Sequence, residues 1–159
     1  LPDGAQRYCR NSSLEMRAGR RAVRTMLMEG GKRMDKQSIH LSKMPKTWIL
    51  DLDGTILKHD GPFLDGKDSF LPGAKEFLEN ISREDMIIFL TARTEYEKAH
   101  TLRFLKEQKV RYDHIIFGAG RGERILINDK KRDGLHTAHA INTDRDIFCQ
   151  MDFIMDIEH

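Results

Sequence analysis

Between residues 48 and 127, short apolar runs alternate with segments of helical pattern, and this alternation constrains the fold more than any other feature of the chain. The runs are only a few residues long and lack the polar face of a solvated antiparallel strand. Strands that are separated by helices pair in parallel through βαβ units. The sequence therefore predicts the α/β class, with a doubly wound parallel sheet.

Four apolar runs are predicted to be buried strands, over residues 48–52, 86–90, 114–117 and 125–127. One helix is predicted to begin near Pro72, with its apolar residues at helical spacing up to Ile81. A second is predicted from a capping box at Thr94 and Glu97, and it should end near Gln108. Residues 148–157 fit either a last strand or a short helix.

The charge of the chain is unevenly distributed. Residues 1–43 hold ten Lys/Arg against four Asp/Glu, whereas residues 44–159 hold seventeen against twenty-one. A length of 159 residues suits one domain with an appendage. We expect a basic, flexible extension over residues 1–43 and a single domain over residues 44–159. Such an arm can bind nucleic acid or anionic lipid, or act as an organelle transit peptide, but a solvated tail is the preferred interpretation.

Two features exclude other classes of protein. Cys9 and Cys149 are far apart and outside any C-x-x-C spacing, which argues against a disulfide scaffold or a thiolate zinc site and favours a cytoplasmic protein. The apolar runs are far shorter than the roughly 20 residues of a bilayer-spanning helix. We therefore expect no membrane partner.

Acidic side chains follow two of the predicted strands, at the edge of the sheet where ligands of open parallel sheets bind. Asp51 and Asp53 leave the same side of the chain, about 6.6 Å apart along it. Two carboxylates so close repel each other, so a cation or a shared proton must compensate them. Asp129 comes from another predicted strand end and would complete an all-oxygen site of the kind that Mg²⁺ prefers.

The segment Asp51-Leu52-Asp53-Gly54-Thr55, together with strands that end at Thr91 and Asp129, resembles the haloacid dehalogenase (HAD) superfamily of aspartate-nucleophile phosphohydrolases. The resemblance spans roughly residues 46–145. Residues 123–146 are also similar to small capless phosphatases of sugar-phosphate and surface-polysaccharide pathways. The resemblance implies a HAD-like Rossmannoid core without a large cap domain.

The resemblance also implies a division of labour among the acids. Asp51 would attack phosphorus and form an aspartyl-phosphate, and Asp53 would act as the general acid and base. The Asp51 carboxylate, the backbone carbonyl of Asp53 and Asp129 would hold Mg²⁺. Gly54 would allow the sharp turn, and Thr91 would donate a hydrogen bond to a phosphoryl oxygen.

The cation that should pair with the nucleophile departs from the family pattern. The superfamily usually places a Lys or Arg before the fourth-strand acid, but residues 118–129 contain only Arg121 and Arg124. Lys131 is the preferred candidate and Arg124 the second. Thr55, Arg93 and Arg124 are candidate substrate-binding residues together with Gly54, although a surface ion pair is the preferred interpretation of Arg93. Asp133 is a loose match to a second acid near the metal.

These residues lead to one expected function and two rivals. The expected function is a Mg²⁺-dependent phosphatase of a small phosphorylated metabolite, most plausibly a sugar phosphate, with an open site that a partner subunit could close. One rival is a polynucleotide end-phosphatase, which the basic arm would suit. The other is a non-hydrolytic phosphoacceptor like a response-regulator receiver, which needs no acid/base such as Asp53. A zinc site at Asp133, His136 and His139 and a dinucleotide site at the 118–122 glycines are disfavoured.

Overall fold

Three of the predicted strands form one parallel sheet, in a computed structural model that describes residues 37–158. Its order is β2 (Thr47–Leu50), β3 (Met86–Leu90) and β4 (His114–Ile116). Trp48 pairs with Ile87 and Leu50 with Phe89, and Phe89 pairs in turn with Ile115. Mixed α/β architecture with parallel strands is therefore confirmed.

Helices connect these strands close to where the sequence predicts them. Helix α2 (Ala74–Asn80) links β2 to β3, and α3 (Glu95–Glu107) links β3 to β4. The backbone N–H of Thr94 donates to Glu97 Oε2 at 2.8 Å, as the predicted capping box requires. A short helix, α1 (Gly61–Leu64), lies in the segment that follows the two acids.

Apolar side chains alternate in burial along the sheet, because neighbouring residues of a strand point to opposite faces. Ile87 and Phe89 are fully buried, whereas Met86 is 40% exposed and Ile49 51% exposed. One face of the sheet thus contributes to the core, and the other face remains partly accessible. The core also takes side chains from the loops and helices: Leu52, Ile56, Leu57, Leu71, Ala74, Leu78, Ile81 and Leu105.

A second sheet includes residues of the predicted N-terminal extension. Strand β1 (Ser38–Ser42) pairs in parallel with β5 (Asp152–Ile157), so part of the predicted extension is a strand. The strand β1 belongs to the same compact unit as the rest of the described chain. The pairing also resolves the ambiguity over 148–157 in favour of a strand. The remainder of the predicted extension, residues 1–36, lies outside the described residues.

The predicted fourth strand is wrong. Residues 125–127 form no strand, and Ile125 and Ile127 are 80% and 91% exposed. An apolar run of only three residues is a weak signal for a strand. Such a run is buried only if a neighbouring strand is available to pair with it. Asp129 therefore does not follow a strand in this structure.

Within residues 37–158, no helix combines the length and the apolar composition that crossing a bilayer would need.

Candidate functional site

The side chains that follow β2 and β3 meet at one edge of the three-stranded sheet. Because these strands are parallel neighbours, the segments after Leu50 and after Leu90 emerge side by side. The hydroxyl of Thr91 lies 3.3 Å from Asp53 Oδ2. The structure therefore brings Thr91 and Asp53 into contact.

Asp53 is held by the guanidinium of Arg93. Arg93 Nε donates to both carboxylate oxygens of Asp53, at 2.9 and 3.1 Å, and Nη2 donates to Oδ1 at 2.7 Å. This forked contact is the geometry that makes Arg–carboxylate pairs strong and directional. Asp53 is therefore fixed in orientation by a neighbouring strand end.

The other side of the same guanidinium binds a second carboxylate, that of Asp68. Arg93 Nη1 and Nη2 donate to the two oxygens of Asp68 at 2.9 and 2.6 Å, and Nη1 also donates to Thr101 Oγ1 at 2.8 Å. All five N–H groups of Arg93 are thereby used by acceptors of the protein. No donor of Arg93 is left for a substrate, and the candidate substrate-binding residue instead bridges two acids.

This Asp53–Arg93–Asp68 cluster is desolvated. The Asp68 side chain is 0% exposed and that of Arg93 is 4% exposed, against 23% for Asp53. Burial by itself lowers the pKa of Arg93, but the hydrogen bonds to Asp68 and Asp53 outweigh it and raise that pKa further above its ordinary value. The Arg93 side chain remains a cation, as buried paired carboxylates require.

Asp51 lies in a different environment from Asp53. Its carboxylate accepts a hydrogen bond from Thr55 Oγ1 at 3.1 Å, and Arg124 Nη2 lies 3.9 Å from Oδ1. Burial raises the pKa of the Asp51 carboxyl, the Thr55 hydrogen bond lowers it, the nearby charge of Asp53 raises it and Arg124 lowers it, with a net increase. Asp51 is thus a partly exposed acid, with 39% of its side chain accessible.

The turn between these acids and the following segment requires Gly54. Its φ is +83°, in the left-handed region that residues with a Cβ rarely adopt. The backbone N–H of Gly54 donates to the carbonyl of Leu57 at 2.7 Å, and three further N–H groups converge on the carbonyl of Leu52. The tight loop keeps Asp51, Asp53 and Thr55 together after β2.

Within residues 37–158, no hydrogen bond or ion pair joins Asp129 or Lys131 to Asp51 or Asp53. Asp129 is exposed and lines a small cavity of about 80 Å³ with Asn128, Lys130 and His136. The backbone N–H of Lys131 donates to the carbonyl of Leu135, in a turn that Gly134 closes, and the side chain of Lys131 is exposed. Between residues 37 and 158, the structure groups no three His, Cys, Asp or Glu side chains around a point that could hold a metal ion.

The cation beside Asp51 is accordingly Arg124, the second candidate of the sequence prediction. Its Nη1 donates to the carbonyls of Gly120 and Gly122, at 2.5 and 2.7 Å, which orients the side chain from the glycine-rich loop. Asp133 is likewise exposed and accepts a hydrogen bond from the N–H of Leu135 at 3.1 Å.

Sequence reasoning missed Asp68 and Thr101. Asp68 follows a run of turn-forming residues, where an aspartate is an ordinary turn residue, and nothing local marks it as buried. Thr101 lies within α3, eight positions after Arg93, and no sequence pattern connects it to the strand ends.

A scan against protein-family models and searches of characterised proteins and of solved structures find no match to this chain.

Proposed function

We propose that the chain is a Mg²⁺-dependent phosphomonoesterase of the aspartyl-phosphate type, acting on a small phosphorylated metabolite such as a sugar phosphate. The observation that carries this proposal is the pair of acids after β2. Asp51 is partly exposed beside Thr55 and Arg124, whereas Asp53, two residues later, is locked by Arg93. Two carboxylates in unequal environments suit two different roles in one reaction.

The proposed reaction has two displacements at phosphorus. A carboxylate oxygen of Asp51 attacks the phosphoryl group while the P–O bond to the leaving alcohol breaks, and Asp53 gives that oxygen its proton. Water then attacks the phosphorus of the aspartyl-phosphate, and Asp53 takes a proton from it. Inorganic phosphate leaves, and both carboxyl groups return to their starting states.

Bound Mg²⁺ would neutralise the negative charges of Asp51 and of the phosphoryl oxygens, which repel each other. Two of the proposed ligands, the Asp51 carboxylate and the backbone carbonyl of Asp53, belong to one tight loop. The structure does not bring Asp129, the third proposed ligand, together with these two oxygen atoms. The described residues therefore provide only part of the proposed magnesium site.

The proposal keeps the doubly wound sheet as its architecture, and the three parallel strands β2, β3 and β4 are the part of it that supports this. The absence of a large cap agrees with the lengths of the insertions: α1 occupies the loop after β2 and α3 the connection after β3. An accessible site of this kind suits small phosphate esters without excluding larger ones.

The test is release of inorganic phosphate from a panel of phosphorylated metabolites. We expect Asp51→Asn to lose about 10³-fold or more of the activity, because no nucleophile remains. Asp53→Asn should lose about 10²- to 10⁴-fold, with the fold retained because the amide oxygen still accepts from Arg93. Glu84→Gln, at an exposed residue beyond the opposite end of the sheet, is the control. Phosphate release by Asp51→Asn at the wild-type rate would refute the nucleophile.

Two further arms separate the alternatives. Chelation should stop phosphate release and added Mg²⁺ should restore it, and Asp129→Asn should raise the Mg²⁺ concentration that restores half the activity. Release that is indifferent to the chelator would remove Mg²⁺ from the proposal. A wild-type protein that becomes phosphorylated on Asp51 but releases no phosphate would instead be a phosphoacceptor.

A further inference from the structure

Residues 144–148 are fastened onto the loop that carries the two acids. The backbone N–H of Asp146 donates to the carbonyl of Gly54 at 2.9 Å, and Asp146 Oδ1 accepts from the N–H of His59 at 2.6 Å. The ring of Phe148 packs against Phe77 of α2, with centroids 5.2 Å apart. A segment about ninety positions later in the chain is thus held against the turn after Asp53.

The backbone of this segment is strained at one position. Asp146 has φ of +61°, in the left-handed region, although it carries a side chain. The turn is closed by the N–H of Ile147, which donates to the carbonyl of Asp144 at 3.1 Å. Such a conformation persists only where surrounding contacts hold it, and residues of this kind concentrate at functional sites. The contacts to Gly54 and His59 are the ones that hold it here.

The strained turn places Arg145 directly over Gly54. A Cβ at position 54 would lie 3.1 Å from Arg145 Cγ and 3.9 Å from Cδ, so the aliphatic stem of Arg145 packs on the backbone next to Asp53. The residue is exposed, and within residues 37–158 its guanidinium makes no hydrogen bond or ion pair. By contrast, Arg93 and Arg124 on the same side of the molecule have protein acceptors. Arg145 therefore carries five donors that the protein does not use.

We propose that Arg145 binds the phosphate group of the substrate, as a forked donor to its non-bridging oxygens; this inference rests on the proposed function. The stem is already ordered by Gly54 and the turn by Asp146, so less rotamer freedom is lost when the ligand binds. The planar guanidinium matches two phosphate oxygens at once, which a lysine does not. Arg145 is thereby a specificity residue for a dianionic ester.

The experiment measures the affinity of the full chain for inorganic phosphate by isothermal titration calorimetry, and KM and kcat for the best phosphate ester. Arg145→Met keeps an apolar stem over Gly54 and removes the donors, so we expect phosphate to bind about tenfold more weakly or worse, with an unchanged melting temperature. Arg145→Lys should recover part of the affinity. Arg83→Met, at an exposed arginine in the loop before β3, should bind phosphate as the wild type does.

The outcomes separate this inference from the proposed function. If the wild type hydrolyses phosphate esters and Arg145→Met retains its phosphate affinity and KM, the role of Arg145 is wrong and the enzyme stands. If phosphate binding depends on Arg145 but no ester is hydrolysed, the role of Arg145 in binding phosphate is supported and the proposed phosphatase activity is refuted. A wild type that neither binds phosphate nor hydrolyses esters overturns both. If Arg145→Met and Arg83→Met lose the same phosphate affinity, the loss reflects the net charge of the protein, and this outcome also overturns the role of Arg145.

Discussion

At the scale of single residues, the guanidinium of Arg93 separates two carboxylates that would otherwise repel each other in a buried place. Asp68 is completely inaccessible, and its oxygens accept from Arg93, while His100 Nε2 lies 3.2 Å from Asp68 Oδ2. Buried charges are tolerated only when they are paired and hydrogen-bonded. The cluster therefore ties the position of Asp53 to the segment after α1 and to the first turns of α3.

The cluster makes Arg93 a position where substitution is costly. Arg93→Met leaves the buried Asp68 carboxylate without its cation, so we expect the free energy of unfolding to fall by about 3–5 kcal/mol. Urea denaturation measures the change. Adding Asp68→Asn to Arg93→Met should restore part of the lost free energy of unfolding, because it removes the uncompensated charge of Asp68.

Arg83→Met is the matched control, since Arg83 is exposed, and a change within about 0.5 kcal/mol is expected there. Equal stability of Arg93→Met and the wild type would contradict the buried cluster.

Asp51 should make stability depend on pH in a particular direction. Burial raises the pKa of Asp51 above its ordinary value of 3.8, so the unfolded chain loses this proton before the folded chain does. Stability is consequently lost as pH rises from about that value through the raised folded pKa, and the penalty persists at neutral pH. Asp51→Asn removes it.

We expect Asp51→Asn to be more stable than the wild type at pH 7 by less than about 1 kcal/mol, because solvent screens a side chain that is 39% exposed. The difference should shrink as the pH falls towards 3.8, because Asp51 then becomes protonated in the folded state and increasingly in the unfolded state. Urea unfolding of the two proteins between pH 3.5 and 7 measures it. If the stability advantage of Asp51→Asn instead grew as the pH fell, the raised pKa of Asp51 could not be its cause.

At the scale of elements, the helices α2 and α3 and the strands β2 to β4 were predictable because their signals are local. The capping box at Thr94 and the apolar run 86–90 each specify one element within a few residues. Strand β1 was not predictable in this way. Its residues alternate between polar and apolar over only five positions, and their partner, β5, lies more than a hundred positions later in the chain.

The parallel pair of β1 and β5 leads to a prediction about where the domain begins. Removing residues 1–43 deletes β1 and leaves β5 without its partner, whereas removing residues 1–34 retains it. We expect the shorter protein to be less stable than the longer one by about 1–3 kcal/mol, since Ile39 and Leu41 lose their half-buried positions and the strand pairing is lost. Thermal and urea unfolding of both proteins provide the comparison. Identical midpoints would return the boundary to residue 44.

At the scale of the whole molecule, the parallel sheet is covered unequally. Parallel sheets usually have helices on both faces, yet Ile49 and Ile116 are each 51% exposed while Phe89 is fully buried. The order β2-β3-β4 also leaves β2 at an edge, beside the loop of Asp51 and Asp53. The largest difference between the predicted and the observed architecture is at residues 125–127, which were predicted to be a strand and form none.

Substitution at Ile127 distinguishes the two arrangements. Because Ile127 is 91% exposed, we expect Ile127→Asp to change the free energy of unfolding by no more than about 0.5 kcal/mol. Ile87→Asp, at a fully buried residue of β3, is the control and should unfold the domain or nearly so. A loss of more than about 2 kcal/mol at Ile127 would instead place it in a buried fourth strand, as a doubly wound sheet requires.

The sequence by itself determined the α/β class, three strands and two helices, and the juxtaposition of Asp51, Asp53 and Thr91, because apolar period, capping residues and parallel strand ends are local or follow from the class. The tertiary structure decided what these side chains touch. That Arg93 faces two carboxylates, that Asp68 is buried, that Arg124 and Arg145 approach the loop and that β1 pairs with β5 all depend on contacts between distant parts of the chain. Burial and pairing are properties of the packed molecule, and no local pattern of residues encodes them.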